Sequence, residues 1–443
     1  MRKSMIVFLM AAFLLSSIVV SSISIQAAPK PVTLKVCVPE HWRIVDPLKT
    51  GKREDVVPRR LWFFDIVQNF RKDHPNVKVE VEPVAYDSIT STFINRSRAG
   101  DPPDIIMANN GTQYKLAKSG YLYPLDQFKF DWKDFNKELF ERNMKVNNKI
   151  YFVPAYTLPH VLFYNQALFA EAGITKVPET LDELVATAKK LSIDRDKDGN
   201  PEVCGFGIPS SMIHPPFIFQ NFETLVWLFG GETVDKNGRA LFDTPAARKA
   251  LQFYSDNVNL HKITPKGSSS WDKEYMGLFR SGQIAMTFRG AEEYPPSLDA
   301  LGDKAKMAPI PPVKKGGKSA CWGELFGWVM STKAGKDSNK REAAWEFLKS
   351  LMSKEAYIGM AKYQRGLSPR ISVSKDPIFS QSEDMRFLSD YSIVATRFDE
   401  EILEWDYWAD TVARTVQAAV LKLRPIDDLL KNAQKEYDAR IGH

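Results

Sequence analysis

The sequence predicts an α/β protein built of doubly wound lobes, and three observations carry that prediction. Strand-period and helix-period segments alternate from Val32 onward. Ile105–Met107 is a short, wholly apolar run, the kind buried in parallel sheets. The 443-residue chain is too long for one ordinary core and suits two domains.

Each element follows from its residues. Val32, Leu34, Val36 and Val38 alternate with polar or small residues, a strand pattern. Residues 39–60 contain Pro39, Pro47, Gly51 and Pro58 and read as a long loop. Phe63, Ile66, Val67 and Phe70 share one helical face, and His74-Pro75 stops that helix. Val77, Val79 and Val81 alternate with Lys78, Glu80 and Glu82, a second strand. Asp87 reads as the N-cap of a helix that ends before Gly100. The resulting β-loop-α-β-α-β order predicts a doubly wound lobe. The alternation resumes with a strand at Val161–Tyr164 and a helix at Gln166–Ala172 closed by Gly173. Thr180 opens another helix, with Glu183 at capping-box spacing. Phe206–Ile208 and Ile284–Phe288 read as strands; Lys340–Ser353, Trp408–Leu423 and Ile426–Ile441 read as helices. The sequence shows neither an internal repeat nor a low-complexity segment.

The N-terminus points to secretion. Arg2 and Lys3 precede an apolar run from Met5 to Val20, broken by Ser16 and Ser17, and small or polar residues follow from Ser21 to Ala28. This is the three-part pattern of a signal peptide, and the run is shorter than the ~20 residues a membrane span needs. Residues 1–27 are expected to be removed. No cysteine lies near the cut, so the expected product is soluble, periplasmic or extracellular, without a lipid anchor. The net charge of +6 falls by two when Arg2 and Lys3 leave, and both signs are mixed along the chain, with no basic stripe of a nucleic-acid binder. Cys37, Cys204 and Cys321 are too few for a disulfide framework. They read as small buried hydrophobes, with one disulfide as the alternative.

Six segments carry a family resemblance: Pro103–Met107, Val161–Gly173, Pro178–Leu184, Phe279–Met286, Ala343–Lys349 and Asp427–Gln434. In this order they resemble the extracellular solute-binding proteins of ABC-type carbohydrate importers, family 1, the group containing maltose-binding protein. The resemblance spans nearly the whole mature chain. It implies the type II periplasmic-binding-protein fold, two lobes joined by three crossings near residues 156–161, 285–288 and 332–341. The N-terminal lobe would hold 29–157 and 287–333, the C-terminal lobe 158–286 and 334–443. A sugar or oligosaccharide would bind between the lobes of a monomer, closure would bury it, and ABC permease subunits would be the membrane partner. Neither catalysis nor a required cofactor is implied.

Aromatic rings cover the C–H faces of a sugar, and amides, carboxylates and arginines satisfy its hydroxyls. Ligands of open α/β sheets bind at the carboxyl ends of strands, which selects the candidates. Trp42 follows the first strand; Asn109, Asn110 and Thr112 follow the third. Against the maltose receptor, that third loop has Ala108, Gly111 and Thr112 in place of its aromatic, acid and arginine, which argues against the same maltodextrin mode. Tyr156 lies on the first crossing, and Trp227 in an apolar helix near which the family lines its cleft. Arg289, Glu292 and Tyr294 follow the second crossing strand, and the family's stacking aromatics fall on Glu292 and Tyr294, so one is replaced by a carboxylate. Trp322 and Glu324 lie in a turn where Gly323 and Gly327 signal close backbone approach. Arg365 sits in a later loop, and of Trp405 and Trp408 one should face the cleft and the other the core. Core, hinge or turn packing is the competing reading for these residues. Arg43, Arg289 and Arg365 allow an alternative ligand, a sugar acid or phosphorylated polyol.

Asp194, Asp196, Asp198 and Glu202 resemble the first half of a calcium loop. The twelfth position is Gly205 instead of a glutamate, so it is not an EF-hand, and an acidic hairpin turn is the other reading. The sequence has no hydrolase elbow, zinc-protease, dinucleotide or P-loop motif. A secreted glycosidase with paired carboxylates is the remaining enzymatic alternative.

Overall fold

The computed structural model describes residues 30–85, 88–109, 112–196, 201–213, 215–271, 275–398, 402 and 404–442. The expected signal segment and the Asp87 cap lie outside them. The alternation at the start produces β1 (Val32–Pro39), with Leu34, Val36 and Val38 fully buried. Residues 39–60 form four short helical turns, at 40–42, 45–50, 53–55 and 58–60, instead of one loop. Pro58 tolerates a helix start because no N–H is needed there. Gly51, at φ +70°, ends the second turn, and Ile44, Leu48 and Val56 bury their side chains. α1 (Leu61–Asp73) stops at His74 as the sequence predicts. β2 (Val77–Val84), α2 (Ile89–Arg98), β3 (Ile105–Asn109) and α3 (Thr112–Lys118) follow, with β2 and β3 parallel to β1 on its two edges.

β4 (Val153–Asn165) is three times longer than the expected strand at 161–164. Pro154 and Pro159 remove ladder donors and hide it in the sequence. The register shift between Pro154 and Tyr156 absorbs one of them. Thr180 caps its helix as expected, its Oγ accepting the Glu183 N–H at 3.1 Å. α4 (Pro215–Leu228), β5 (Met286–Gly290), β6 (Ala305–Ala308) and β7 (Cys321–Met330) follow. The sheet runs β2-β1-β3-β7-β4-β5, with β6 also on β4; β7 is antiparallel to β3 and to β4. The first half of β4 therefore pairs with β7, and its second half with β5 and β6. Both β4 and β7 connect the two halves of the protein.

Phe206–Ile208 makes only an isolated bridge, Gly207 to Thr287. Residues 285–288, read as a crossing, largely coincide with β5, and the chain returns to β3 along β7. α5 (Ser338–Leu351) packs on β1 and α1, and α6 (Lys354–Gln364) on α1, although the motif-based division puts residues 334–443 in the other lobe. Phe347 meets Phe70 at 5.0 Å, and Gly359 lies where a Cβ would come within 2.5 Å of Trp62 Cβ. α7 (Trp405–Val420) packs on α4. The three cysteines are free and buried, and burial pushes the Cys37 and Cys321 thiols up to about 12. Among the described residues no helix is long and apolar enough to cross a membrane.

Candidate ligand-binding site

The end of β5, the start of β7 and one face of α4 converge. Phe217, Gln220, Thr224 and Trp227 recur at helical spacing on that face. The Trp322 backbone N–H donates to Thr224 Oγ1 at 2.9 Å, fixing β7 against the helix. From β5, the Arg289 guanidinium lies 4.0 Å over the Phe217 ring and donates to Gln220 Oε1 at 3.5 Å. It stands 3.2 Å from Glu292 Oε1 and 4.0 Å from Glu324 Oε1. Gly290 makes room for this arrangement: a Cβ there would sit 2.1 Å from Glu292 Oε2.

Arg289 and Glu324 are 9% and 8% exposed, so these charges interact with little solvent screening. Burial opposes the Arg289 charge, and Glu292, Tyr275, Glu324 and Glu293 together more than offset it, holding the guanidinium protonated. Burial raises Glu292, while Arg289 pulls it down. Burial, then the neighbouring Glu292, push Glu324 well above the usual carboxylate range. One guanidinium cannot neutralise two buried carboxylates, so the cluster favours keeping one proton. His160, on β4, is buried, and its ring meets Trp322 at 5.1 Å and 69°. Burial, then Arg289, hold its imidazole neutral. Neither ring nitrogen has a hydrogen-bond partner among the described residues. Phe219 stands 6.2 Å from Trp322 and 5.2 Å from Trp405, which is half-buried and whose indole N–H has no partner among the described residues. Aromatic rings thus stand beside buried polar atoms, Glu292 Oε1 and Oε2 and both His160 ring nitrogens, that lack hydrogen-bond partners among the described residues.

Of the residues selected from the sequence, the fold brings together Arg289, Glu292, Trp322 and Glu324, with Trp405 one ring away. Trp408 is fully buried under Phe219 at 5.7 Å. Trp227 carries the Arg397 guanidinium 4.6 Å over its ring, and Arg397 pairs with Glu232 at 2.5 Å. Tyr294 opens a helix and packs 6.4 Å from Phe163. Trp42 and Tyr156 stack at 6.1 Å inside the first lobe's aromatic core, beside Trp62 and Trp328. Asn109 Oδ1 accepts from Thr112 Oγ1 at 2.5 Å; Asn110 lies outside the described residues. Arg365 takes a left-handed conformation after α6 and pairs with Asp384 at 2.6 Å. The glycines near Trp322 serve protein packing: a Cβ at Gly323 would lie 2.3 Å from Thr396 Cγ2, and one at Gly327 2.3 Å from the Val153 carbonyl.

In the acidic loop, Glu202 Oε2 accepts the Arg195 N–H at 2.7 Å, and Asp198 lies outside the described residues. Among those described, no group of three side chains is placed to hold a metal ion, Asp194 and Asp196 included.

Sequence reasoning missed His160, Phe217, Phe219 and Gln220. His160 had no readable signal, because Pro154 and Pro159 hide that part of β4 in the sequence. The α4 residues had none either, because the helix is buried all round, its polar Gln220, Asn221, Glu223 and Thr224 included. Lys115 of α3 and Asp406 of α7 were also missed; they pair at 2.5 Å between the two lobes. Elsewhere, a cavity of about 350 Å³ is lined by Thr157, Arg142, Arg370, Arg397 and Phe398 among others, and none of the selected residues is among its described lining.

Residues 61–358 match the bacterial extracellular solute-binding protein family. A binding protein of Brucella abortus (strain 2308) is 24% identical over 386 residues, 85% of this chain and 89% of its own. The diacetylchitobiose binding protein DasA of Streptomyces coelicolor is 26% identical over 312 residues, 68% of each chain. Among solved structures, maltose-bound T. maritima MalE3 superposes with a TM-score of 0.76 at 24% identity, covering 92% of this chain and 99% of that one. The GacH receptor of Streptomyces glaucescens gives 0.77 at 20% identity, covering 92% and 98%. With the matched segment covering more than half of its length and the fold agreeing, the chain belongs to the bacterial extracellular solute-binding protein family.

Proposed function

We propose that this receptor captures a sugar or oligosaccharide between its lobes and presents it, closed, to the permease of an ABC importer. The observation that carries the ligand class is the Arg289–Glu292–Glu324 cluster set among Trp322, Phe217, Phe219 and Trp405. Rings of this kind cover sugar faces, and buried acceptors match hydroxyl donors. Relatives named for diacetylchitobiose, maltotriose, mannitol and arabinooligosaccharide support the same class.

The alternative of an anionic ligand loses its support in the geometry. Arg43, Arg289 and Arg365 each already face a carboxylate, from Glu40, Glu292 and Asp384. We read the protein as a binder and not a hydrolase. The test is incubation of the secreted protein with each oligosaccharide that it binds by calorimetry, followed by chromatography of the recovered sugar. Intact sugar after saturation supports the receptor; shortened products overturn it in favour of a glycosidase.

A further inference from the structure

With both carboxyls ionised, the charges at this site do not balance. Arg289 is the cation that faces both Glu292 and Glu324. Glu293, next in sequence, is already paired with Arg280. His160 carries no charge that would help, being buried beside Arg289, and Tyr275 contributes only a phenol. Among the described residues the cluster therefore holds one carboxylate in excess of its cations. Solvation does not settle the excess, because the side chains of Glu324 and Arg289 are each 11% exposed and that of Glu292 is 23%.

Resting on the carbohydrate reading above, we infer that the ligand carries a cationic amino group, as an amino sugar does, and that this ammonium seats between Glu292 and Glu324. Three further features fit such a group. An ammonium has three donors and no acceptor, and this site offers carboxylate oxygens and an unpartnered imidazole nitrogen of His160. The Trp322 and Trp405 rings stand 6.2 Å and 5.2 Å from Phe219, and aromatic rings of this kind attract a cation. Gly290 leaves open the space that the Glu292 carboxylate occupies, which a Cβ there would fill. In the unliganded protein the excess carboxyl keeps its proton; binding of the ammonium releases it.

The experiment is calorimetry on the secreted protein with glucosamine and its β-linked dimer and trimer, the same compounds N-acetylated, the corresponding neutral glucose sugars, and spermidine. The expected result is at least tenfold tighter binding of an amino sugar than of its acetylated and neutral counterparts. That preference should collapse toward unity in Glu324→Gln, whose folding is checked by its melting transition. A neutral or acetylated sugar bound as tightly as the free amine, in the unsubstituted protein, overturns the inference and leaves the sugar receptor standing. Spermidine bound as tightly as the amino sugars keeps the cation and removes the sugar. No binding of any compound overturns both the inference and the carbohydrate reading.

Discussion

Lys115 Nζ lies 2.5 Å from Asp406 Oδ2 and joins a helix that follows β3 to the helix that begins at Trp405. The two side chains are 47% and 61% exposed, so the pair adds at most ~1 kcal/mol to stability. If the lobes close as proposed, the pair would form only in the closed state. Contacts present in one conformer alone shift the equilibrium toward it. Lys115→Ala should therefore leave the melting temperature of the unliganded protein nearly unchanged. Ligand affinity should fall about two- to fivefold at low salt, the most an exposed pair worth up to ~1 kcal/mol can supply. The loss should vanish at high salt and be restored in the charge-swapped pair Lys115→Asp with Asp406→Lys. Equal affinity at low salt would remove the pair from closure.

Two neighbouring tryptophans should separate binding from stability. Trp405 is half-buried and its N–H has no partner among the described residues; Trp408 is fully buried. Trp405→Ala should weaken ligand binding by at least about tenfold, or ~1.4 kcal/mol. Trp408→Ala should instead cost ~3–5 kcal/mol of folding free energy. Calorimetry and denaturant titration of both variants decide the assignment.

Glu324 gives a pH dependence of definite sign. Burial, then Glu292, raise its carboxyl well above the usual range, so the native state holds a proton that the unfolded chain releases near pH ~4.3. Stability of the unliganded protein should then fall as pH rises above ~4.3, for this group taken alone. Glu324→Gln removes that slope. At neutral pH it should stabilise by at least ~1 kcal/mol, the scale of one badly satisfied buried polar group. Melting curves from pH 4 to 8, compared with the parent protein, measure it.

His160 works in the opposite direction. Burial, then Arg289, hold its imidazole well below the ordinary value, so below ~6.5 the unfolded chain takes up a proton that the native state does not. This contribution to stability should be lost as pH falls through ~6.5. His160→Gln should flatten the melting temperature between pH 7 and 5.

Much of the first lobe was legible in the sequence because its physics is local. Val32–Val38 and Val77–Val81 alternate with period two, and His74-Pro75 stops a helix wherever it stands. The first half of β4 was not, because Pro154 and Pro159 argue against a strand unless a register shift and a paired partner are known. Nor were the contacts of α5 and α6 on α1, which are set by long-range packing such as Phe347 on Phe70. For the site, Arg289, Glu292, Trp322 and Glu324 were legible because each lies at the end or start of a strand. Trp42 satisfied the same rule, yet it stacks with Tyr156 in the core. Position at a strand end does not decide which way a ring points. The face of α4 was invisible, since Phe217 and Gln220 acquire meaning only beside Arg289.

The close approach at Gly327 tests the join between β4 and β7. A Cβ there would meet the Val153 carbonyl at 2.3 Å and the Phe152 ring at 2.5 Å. Gly327→Ala should cost ~1–3 kcal/mol through overpacking, read by denaturant titration.

The central claim is that this family member is a sugar receptor, and a thermal-shift screen tests it most directly. The secreted protein would be heated with neutral sugars, amino sugars, sugar acids and polyol phosphates in turn. A ligand at one hundred times its dissociation constant stabilises the native state by ~2.7 kcal/mol, a visible rise in melting temperature. The predicted result is a saturable rise with one class of sugar, reduced in Trp405→Ala. A rise confined to the phosphates or acids, or no rise with any sugar, would contradict it.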